Sequence, residues 1–254
     1  MINILLTGCN GRMGNAVVAS CENNENCNIV AGIDVSAGKN ASSFPVYESL
    51  NDFKGECDVI IDFSHHTATE GLLAYAVSKK LPIVIATTGH TEEETSAIKN
   101  AATKIPVFYS RNMSLGINLL IALAKKACLS LGTAFDIEII EKHHNQKLDA
   151  PSGTALMIAD ALKDTRDIET EYMYNRQPLH QKRQPSEIGI HAVRGGTIVG
   201  EHEVIFAGKD EVITLSHSAA SRNVFAEGAV RAAIFLKDKS AGLYDMNSIV
   251  ESII

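Results

Sequence analysis

The sequence is poor in the features of secreted, membrane-bound and nucleic-acid-binding proteins. Among 254 residues, 23 lysines and arginines stand against 30 acidic residues, and no basic block offers the surface that nucleic acid requires. The five cysteines are scattered without a C-x-x-C pair, which is typical of reduced thiols. The opening MINILLTG has no signal-peptide pattern, and no apolar run approaches the roughly 18 residues of a membrane span. These absences predict a soluble cytoplasmic protein with a small-molecule partner, neither nucleic acid nor membrane.

The first half of the chain alternates short apolar runs with helical patterns. Near-continuous apolar runs are expected of strands that are covered on both faces of a parallel sheet. They occupy 2–7, 28–34, 57–63, 81–87 and 105–110. Helices are predicted at 11–22, 67–79 and 91–103, and Thr91 with Glu94 forms a capping-box pattern at the start of the last. The alternation predicts an α/β fold built from βαβ units.

The pattern changes in the second half. A helix is predicted at 116–131, and from Phe135 onward strand patterns joined by Gly-Gly and Gly-Lys-Asp turns predict an α+β domain with an antiparallel or mixed open sheet. A helix at 152–163 interrupts these strands, and the charged segment 164–187 is predicted to be a solvated loop or an irregular connection. The apolar face of a final helix at 224–238 would suit packing against the first domain.

A glycine loop follows the first predicted strand. In GCNGRMG the glycines Gly8, Gly11 and Gly14 have three-residue spacing, and a helix follows. Glycines at such a turn let the backbone approach a pyrophosphate at the helix N-terminus. Asp34, 20 residues beyond Gly14 at the end of the second strand, is placed to accept hydrogen bonds from the adenosine ribose. The combination predicts a Rossmann-like dinucleotide-binding domain.

The residues around Asp34 bear on the choice of dinucleotide. A carboxylate should repel the 2′-phosphate of NADPH, and Val35 supplies no neighbouring cation. NADH is therefore favoured, although Lys39 keeps NADPH open.

The stretch EKHHNQKLDAPSGTA, residues 141–155, has the highest density of proton-handling groups. In an extended strand His143 and His144 would point to opposite faces, which argues against a shared metal, and no H-E-x-x-H motif is present. Lys147 adds a cation, and histidine titrates near neutrality, so the pair suits proton donation to match an arriving hydride.

A helix start follows in the same stretch. Ser152 or Asp149 would cap it, and Gly153 with Thr154 would present backbone N–H groups of the first turn. Such groups bind carboxylates, and Lys147 beside them adds charge. The segment therefore suits a carboxylate-bearing substrate.

These segments resemble the 4-hydroxy-tetrahydrodipicolinate reductase (dihydrodipicolinate reductase) family over nearly the whole chain. The long H-H-x-x-K-x-D-A-P-S-G-T-A pattern is similar to the family signature. Four other segments resemble family segments and occur in the family order: GCNGRMG, DVIIDFSH, NMSLGINLL and VRGGTIVGEHEVIF. The resemblance implies NADH- or NADPH-dependent reduction of a cyclic dicarboxylate in lysine biosynthesis. It also implies a homotetramer built through the second-domain sheets. Residues 1–114 with 222–254 would then bind the dinucleotide, and 115–221 would bind substrate and form the oligomer.

The resemblance also implies residue roles. His143 would be the proton donor and acceptor, Lys147 a second proton donor, and His144, Gly153 and Thr154 substrate-binding residues. The dinucleotide contacts would be Gly8, Cys9, Asn10, Gly11, Arg12, Met13, Asp34, Ala86, Thr87, Thr88, Ser110, Arg111, Asn112 and Met113, with no metal ligand. Ala86 stands where the family usually has glycine, and Ser110 and Arg111 where it has small residues, so cofactor affinity is open.

Two other readings compete with this resemblance. Another two-domain reductase, such as a homoserine or aspartate dehydrogenase, would share the glycine loop, but it would not need HHNQK followed by DAPSGTA. A non-catalytic dinucleotide sensor could keep the fold, yet it would not need His143, His144 and Lys147 together.

Overall fold

The chain folds into two compact units. A computed structural model describes residues 1–22, 24–38 and 42–253. The first unit comprises Met1–Leu115 and Asn223–Ile254, and the second comprises Gly116–Arg222. Each boundary lies one residue from the position predicted from the sequence.

The described residues form twelve strands and seven α-helices. In chain order they are β1 (Ile2–Thr7), α1 (Arg12–Glu22), β2 (Cys27–Ile33), β3 (Val46–Tyr47), β4 (Val59–Asp62), α2 (Thr69–Lys79), β5 (Ile83–Ile85), α3 (Glu92–Ala102), β6 (Pro106–Tyr109), α4 (Leu115–Leu131), β7 (Asp136–His143), α5 (Gly153–Lys163), β8 (Glu171–Met173), β9 (Glu187–Arg194), β10 (Gly200–Ala207), β11 (Val212–Ala219), α6 (Asn223–Leu236), β12 (Gly242–Tyr244) and α7 (Met246–Glu251).

The first unit is built on a parallel sheet with the order β12-β6-β5-β4-β1-β2-β3 among the described residues. Its central strands are buried on both faces, as their apolar runs predict. Ile4 and Leu6 pack with residues of α1 and α6, whereas Leu5 between them packs with residues of α2 and α3. Alternate side chains of β1 thus lie in two hydrophobic cores, one on each face of the sheet. The Rossmann-like α/β prediction is confirmed for this unit.

Helix ends in the first unit follow their sequence signals. Thr91 Oγ accepts the Glu94 N–H at 3.2 Å, and a Glu94 carboxylate oxygen accepts the Thr91 N–H at 2.8 Å, so the predicted capping box is present. The predicted final helix is α6, and its buried alanines pack in the core beside α1. The short elements β3, β12 and α7 were not predicted, because strands of two or three residues and a helix of six carry too little periodic signal.

The strand order of the first unit indicates where a ligand would bind. The chain runs outward in both directions from the neighbouring strands β1 and β4, so loops after these strands diverge at the carboxyl edge. In open α/β sheets this switch point forms the ligand crevice. The glycine loop leaves β1 at that point.

The second unit is built on a sheet with the order β11-β10-β7-β9-β8 among the described residues. Strand β7 pairs antiparallel with β10 and parallel with β9, so the sheet is mixed. Helices α4 and α5 pack on one face, against residues such as Ile139 and Phe206. The Gly-Lys-Asp segment joins β10 and β11 in a hairpin, with the Gly208 N–H donating to the Glu211 carbonyl at 2.8 Å. The Gly-Gly segment instead carries the chain across the end of β7, because β9 and β10 flank that strand.

The prediction of an irregular, solvated segment at 164–187 is partly wrong. Glu171–Met173 forms the edge strand β8, parallel to β9. Arg183 is largely enclosed, donating to Asp136 and Glu138 carboxylates and to the Ile137 and Glu187 carbonyls. Proline and charge suggested a loop, but a three-residue edge strand needs little propensity of its own when it pairs with a long neighbour.

One helical stretch, Leu115–Ala134, is long and apolar enough to span a membrane by length and composition, contrary to the expectation that no run approaches that length. Leu120, Ala124 and Cys128 along it are buried in the core of the second unit. One face of the stretch therefore packs in that core, while Leu119, Leu123 and Leu129 on the other side are exposed.

Candidate active site

The glycine loop of the first unit is shaped by close backbone contacts. Gly8 has a φ of +72°, and a β-carbon there would lie 2.4 Å from the Phe63 carbonyl oxygen. A β-carbon at Gly14 would lie 2.3 Å from the Gly8 carbonyl oxygen. Gly8 and Gly14 are thus needed for the turn itself and for helix packing. A β-carbon at Gly11, which lines the groove, would make a closer contact than usual, 3.2 Å from the Gly8 carbonyl oxygen.

Asp34 binds the glycine loop directly. Its carboxylate accepts hydrogen bonds from the Asn10 N–H at 3.0 Å and from the Ser36 N–H and hydroxyl at 2.9 and 2.6 Å. Asp34 therefore orders the loop in addition to presenting negative charge at the groove. Val35 beside it is exposed, and Lys39 lies outside the described residues.

A second carboxylate, which sequence reasoning missed, lies at the switch point. Asp62 ends β4 and is fully buried. One of its oxygens accepts hydrogen bonds from Thr7 and Ser64 hydroxyls, each at 2.6 Å, and the other accepts from the Thr87 hydroxyl at 2.8 Å. Asp62 thereby ties together the ends of β1, β4 and β5. Asp62 could have been found from the sequence, because it is a carboxylate at the end of the buried run DVIID.

The other predicted dinucleotide residues lie at the same carboxyl edge. Ala86 donates its N–H to the Asp62 carbonyl at 3.0 Å, and Thr88 is exposed. Asn112 and Met113 are buried, whereas Arg111 is exposed. Cys9 is buried, and burial raises the pKa of its thiol to about 11, which makes it unreactive. Arg12 and Met13 begin α1, and Ser110 follows β6.

A groove of about 860 Å³ runs along this edge of the first unit. Its lining includes Gly8, Gly11, Asp34 and Val35 on one side and His65 and Thr67 on the other. The groove has the volume and the glycine-lined wall that an extended dinucleotide requires.

In the second unit the centre of the candidate site is Glu141, which sequence reasoning also missed. It is fully buried on the core face of β7, two residues before His143. His143 Nδ1 donates to Glu141 Oε2 at 2.6 Å, and Arg194 donates to both carboxylate oxygens at 2.8 and 2.6 Å. Burial acts to raise the pKa of Glu141, but the hydrogen bonds from Arg194, His143 and the Ser152 N–H outweigh it and lower that pKa.

The remaining polar residues follow the end of β7. That strand ends at His143, so alternation does not fix the direction of His144, which is partly exposed. The Lys147 ammonium pairs with the Asp149 carboxylate at 2.9 Å, and this hydrogen bond lowers the pKa of Asp149. Lys147 is thus held close to the start of α5.

The start of α5 is capped by Ser152, one of the two residues predicted for this role. Its hydroxyl accepts the Ala155 N–H at 3.1 Å, and its own N–H donates to Glu141 Oε1 at 3.0 Å. Gly153 and Thr154 form the first turn, with Gly153 exposed. Positive potential at a helix start suits an anionic ligand.

His202 completes this cluster from β10. It lies opposite Glu141 in the strand register, its Nε2 is 3.2 Å from the Ser152 hydroxyl, and its ring packs edge-on against His143 with centroids 5.2 Å apart. Burial, with a smaller contribution from His143, lowers the pKa of His202 from 6.5 to about 4. His202 is therefore neutral at physiological pH.

Sequence signals for these missed residues differ. Period-2 alternation places Glu141 on the same face as His143, so Glu141 could have been found. Arg194 and His202 reach the site through the parallel register of β9 and the antiparallel register of β10, which no local pattern shows. Among the described residues no group of three or more His, Cys, Asp or Glu side chains is arranged to hold a metal.

The fold and the sites define the class. A parallel sheet with a glycine loop at its switch point, joined in one chain to a mixed-sheet unit with a buried histidine–carboxylate pair, is the arrangement of a two-domain, nicotinamide-dinucleotide-dependent oxidoreductase. Family models agree at a finer level. Residues 2–113 match the model of the dihydrodipicolinate reductase N-terminus, and residues 116–250 match that of the C-terminus. The chain belongs to the dihydrodipicolinate reductase family.

Similar proteins support this assignment over the full length. A 4-hydroxy-tetrahydrodipicolinate reductase of Caldanaerobacter subterraneus subsp. tengcongensis is 54% identical, with 99% of each chain covered. One from Clostridium tetani is 48% identical, with 99% of this chain and 98% of that protein covered. The structure of a dipicolinate-bound dihydrodipicolinate reductase from Paenisporosarcina sp. TG-14 superposes with a TM-score of 0.81 at 28% identity, covering 96% of this chain and 97% of that one.

The low pKa of His202 predicts a specific dependence of stability on pH. Because its pKa is about 4 when folded and 6.5 when not buried, the unfolded chain takes up a proton first as pH falls. The His202 contribution to stability is therefore complete above pH 6.5 and is lost as pH falls toward 4, by about 3 kcal/mol in total.

Replacing His202 with glutamine should remove this loss. Chemical denaturation between pH 7 and pH 4 should show a smaller decline in unfolding free energy for His202→Gln than for the wild type, and His180→Gln, at an exposed position, should decline like the wild type. Parallel curves for all three proteins would contradict the assignment.

Proposed function

We propose that this family member reduces (2S,4S)-4-hydroxy-2,3,4,5-tetrahydrodipicolinate to (S)-2,3,4,5-tetrahydrodipicolinate and water, in the diaminopimelate route to lysine in the cytoplasm. The reaction consumes one hydride and one proton and releases the hydroxyl group as water. The observation that carries the proposal is the buried Glu141–His143 pair, which lies beside a helix start and Lys147. A proton donor and groups that suit anion binding are thereby combined in one cluster.

The proton role falls to His143. Its ring is held in place by the 2.6 Å hydrogen bond between Nδ1 and the Glu141 carboxylate. The bound reduced nicotinamide supplies the hydride, and His143 delivers the proton that balances it. Lys147 is the second proton donor in this proposal.

The substrate carboxylates are assigned to the start of α5. The Gly153 and Thr154 N–H groups and the Lys147 ammonium provide the positive potential, and His144 adds a polar contact. Asp149, more than half exposed, can release Lys147 to a substrate carboxylate at little cost because the ion pair is solvated. The dipicolinate-bound Paenisporosarcina reductase, whose ligand is a cyclic dicarboxylate, supports this class of substrate.

Dinucleotide binding is assigned to the groove of the first unit. The loop from Gly8 to Met13 and Asp34 would contact the pyrophosphate and ribose, and Gly8, Gly11 and Asp34 line the groove. The segments 86–88 and 110–113 follow β5 and β6 outside that lining, and they would contact the nicotinamide end. In this turn Ala86 is partly buried, Thr87 is buried and Thr88 is exposed, so Thr88 is the residue best placed to contribute backbone contacts.

The activity can be tested by supplying the substrate from pyruvate and aspartate semialdehyde through the preceding synthase and following the loss of NADH or NADPH absorbance. The wild type should turn over. His143→Gln should lower kcat by about 10²–10⁴-fold, because it removes the proton donor.

The matched control is His180→Gln, which should keep wild-type kcat because His180 is exposed and makes none of the hydrogen bonds to Glu141. No turnover of the wild type with either dinucleotide would refute the proposed reaction. Near-native kcat in His143→Gln would move the proton role to His144 or Lys147.

A preference for NADH over NADPH is proposed from Asp34. The carboxylate would lie near a 2′-phosphate, and removing one like charge there is worth about 1 kcal/mol in a partly solvated groove. Asp34→Asn should therefore lower the NADH-to-NADPH ratio of kcat/KM about five- to tenfold, measured by steady-state kinetics.

Both dinucleotides should lose affinity in Asp34→Asn, because Asp34 also orders the loop, so the ratio is the informative quantity. Glu56→Gln, an exposed acidic position elsewhere in the same unit, should leave the ratio unchanged. A wild type that uses NADPH clearly better would contradict the preference.

A homotetramer built on the second-unit sheet is also proposed. Helices α4 and α5 pack on one face of that sheet, and the opposite face carries Ile140 and Ile205, together with Lys142 between Glu201 and Glu203. The exposed strand β11 adds Val212 and Thr214. This mixture of apolar and paired charged groups suits a protein interface.

The expected mass in solution is that of four 27.3 kDa chains, about 109 kDa by light scattering. Thr214→Arg should shift the mass to that of a smaller species, because it places an unpaired charge within the proposed interface. Glu93→Arg, on the exposed face of α3, should keep the tetramer mass. A monomeric wild type would contradict the proposal.

A further inference from the structure

Glu141 is hydrogen-bonded to three different parts of the second unit: β7, β9 and the start of α5. Its carboxylate accepts four hydrogen bonds, one from His143, two from Arg194 and one from the Ser152 N–H. The side chain is fully buried, so each donor replaces water that the charge has lost. A carboxylate with this set of partners is fixed in position.

Arg194 keeps that carboxylate ionised. Its guanidinium spans both oxygens of Glu141 and is itself held by the Asp149 and Val193 carbonyls, each at 2.7 Å. Bidentate pairing of this kind fixes both the charge and the plane of the carboxylate. Glu141 is therefore an acceptor toward His143, and it has no proton to donate.

This arrangement decides which nitrogen of His143 can release a proton. Nδ1 carries the hydrogen that is bonded to Glu141, 2.6 Å away. Nε2 is directed toward Gly200, where a β-carbon would lie only 3.1 Å from it. Nε2 is thus the nitrogen that Glu141 does not occupy, and a side chain at position 200 would press against it.

The same carboxylate also places the start of α5. The Ser152 N–H donates to the second oxygen of Glu141, and the Ser152 hydroxyl caps the helix through the Ala155 N–H. Gly153 and Thr154 follow directly. One side chain therefore sets the distance between the His143 ring and the first turn of α5.

We propose that Glu141, held by Arg194, is a positioning residue that assigns the transferable proton of His143 to Nε2 and keeps that nitrogen in register with the start of α5. The inference rests on the proposed role of His143 as proton donor. On transfer the Nε2–H bond breaks and the proton goes to the substrate, while the hydride satisfies the other half of the reduction. The ring is left neutral with its Nδ1–H still bonded to Glu141, and solvent returns the proton to Nε2.

The test is Glu141→Gln, studied in the full chain. The glutamine oxygen should face the Ser152 N–H and one Arg194 N–H, which turns its NH₂ group toward His143 Nδ1 and the other Arg194 N–H. The neutral ring should then carry its hydrogen on Nε2. Nitrogen-15 shifts of labelled histidine should show a change from the Nδ1–H to the Nε2–H tautomer, and kcat should fall about 10²-fold or more while KM for the dinucleotide stays within about threefold.

The matched control is Glu187→Gln. Glu187 is another buried carboxylate of this unit and pairs with Arg176, so the substitution breaks a comparable ion pair away from His143. It should lower stability without changing the His143 tautomer or kcat. Equal effects of the two substitutions on tautomer and kcat would overturn the proposal, because they would show a general structural effect.

A second variant keeps the proposal testable if Glu141→Gln does not fold. If Glu141→Gln does not fold, Arg194→Lys keeps the charge but loses the bidentate contact, and it should give a mixed tautomer population and a smaller fall in kcat. An unchanged tautomer and kcat in a folded variant would overturn the positioning role. The tautomer is read without turnover, so a wild type that is inactive on the substrate would refute only the proposed reaction.

Discussion

A carboxylate that is removed from water must receive hydrogen-bond donors, and in each unit the chain meets this constraint at the carboxyl end of a central strand. Asp62 ends β4 in the middle of the parallel sheet, and Glu141 lies near the end of β7 in the middle of the mixed sheet. Both are fully buried. Because their donors come from several elements, satisfying each charge fixes the loops that leave the strand ends. The candidate sites are formed by those loops.

The two carboxylates are satisfied by different donors, and the difference suits different tasks. Asp62 receives hydroxyl groups from Thr7, Ser64 and Thr87, which are neutral and short, so they act as structural ties between adjacent strands. Glu141 receives the cation of Arg194, which balances its charge and lets it orient an imidazole. A neutral donor set would leave the Glu141 charge free to attract a proton from His143. Arg194 therefore preserves the polarity of that hydrogen bond.

The sequence predicted what depends on local pattern. Continuous apolar runs identified the buried strands, the pair Thr91 and Glu94 identified a capped helix, and alternation from Phe135 onward identified β7. It could not show the pairing order of β9 and β10, which depends on long-range register, so Arg194 and His202 were missed. Likewise, the spacing of Asp34 suggested a ribose contact, but its hydrogen bonds to Asn10 and Ser36 depend on the loop conformation.

The fold by itself does not select the chemistry. An architecture of this kind hosts many unrelated activities. The cluster around Glu141 is more selective because its members depend on one another. Removing Arg194 would leave a buried negative charge unpaired, and removing Glu141 would leave the Arg194 guanidinium and the Ser152 N–H without their acceptor. Removing one member of the cluster is therefore destabilising. Because the complete cluster is present in this chain, the second unit holds a proton donor beside a site that suits an anion.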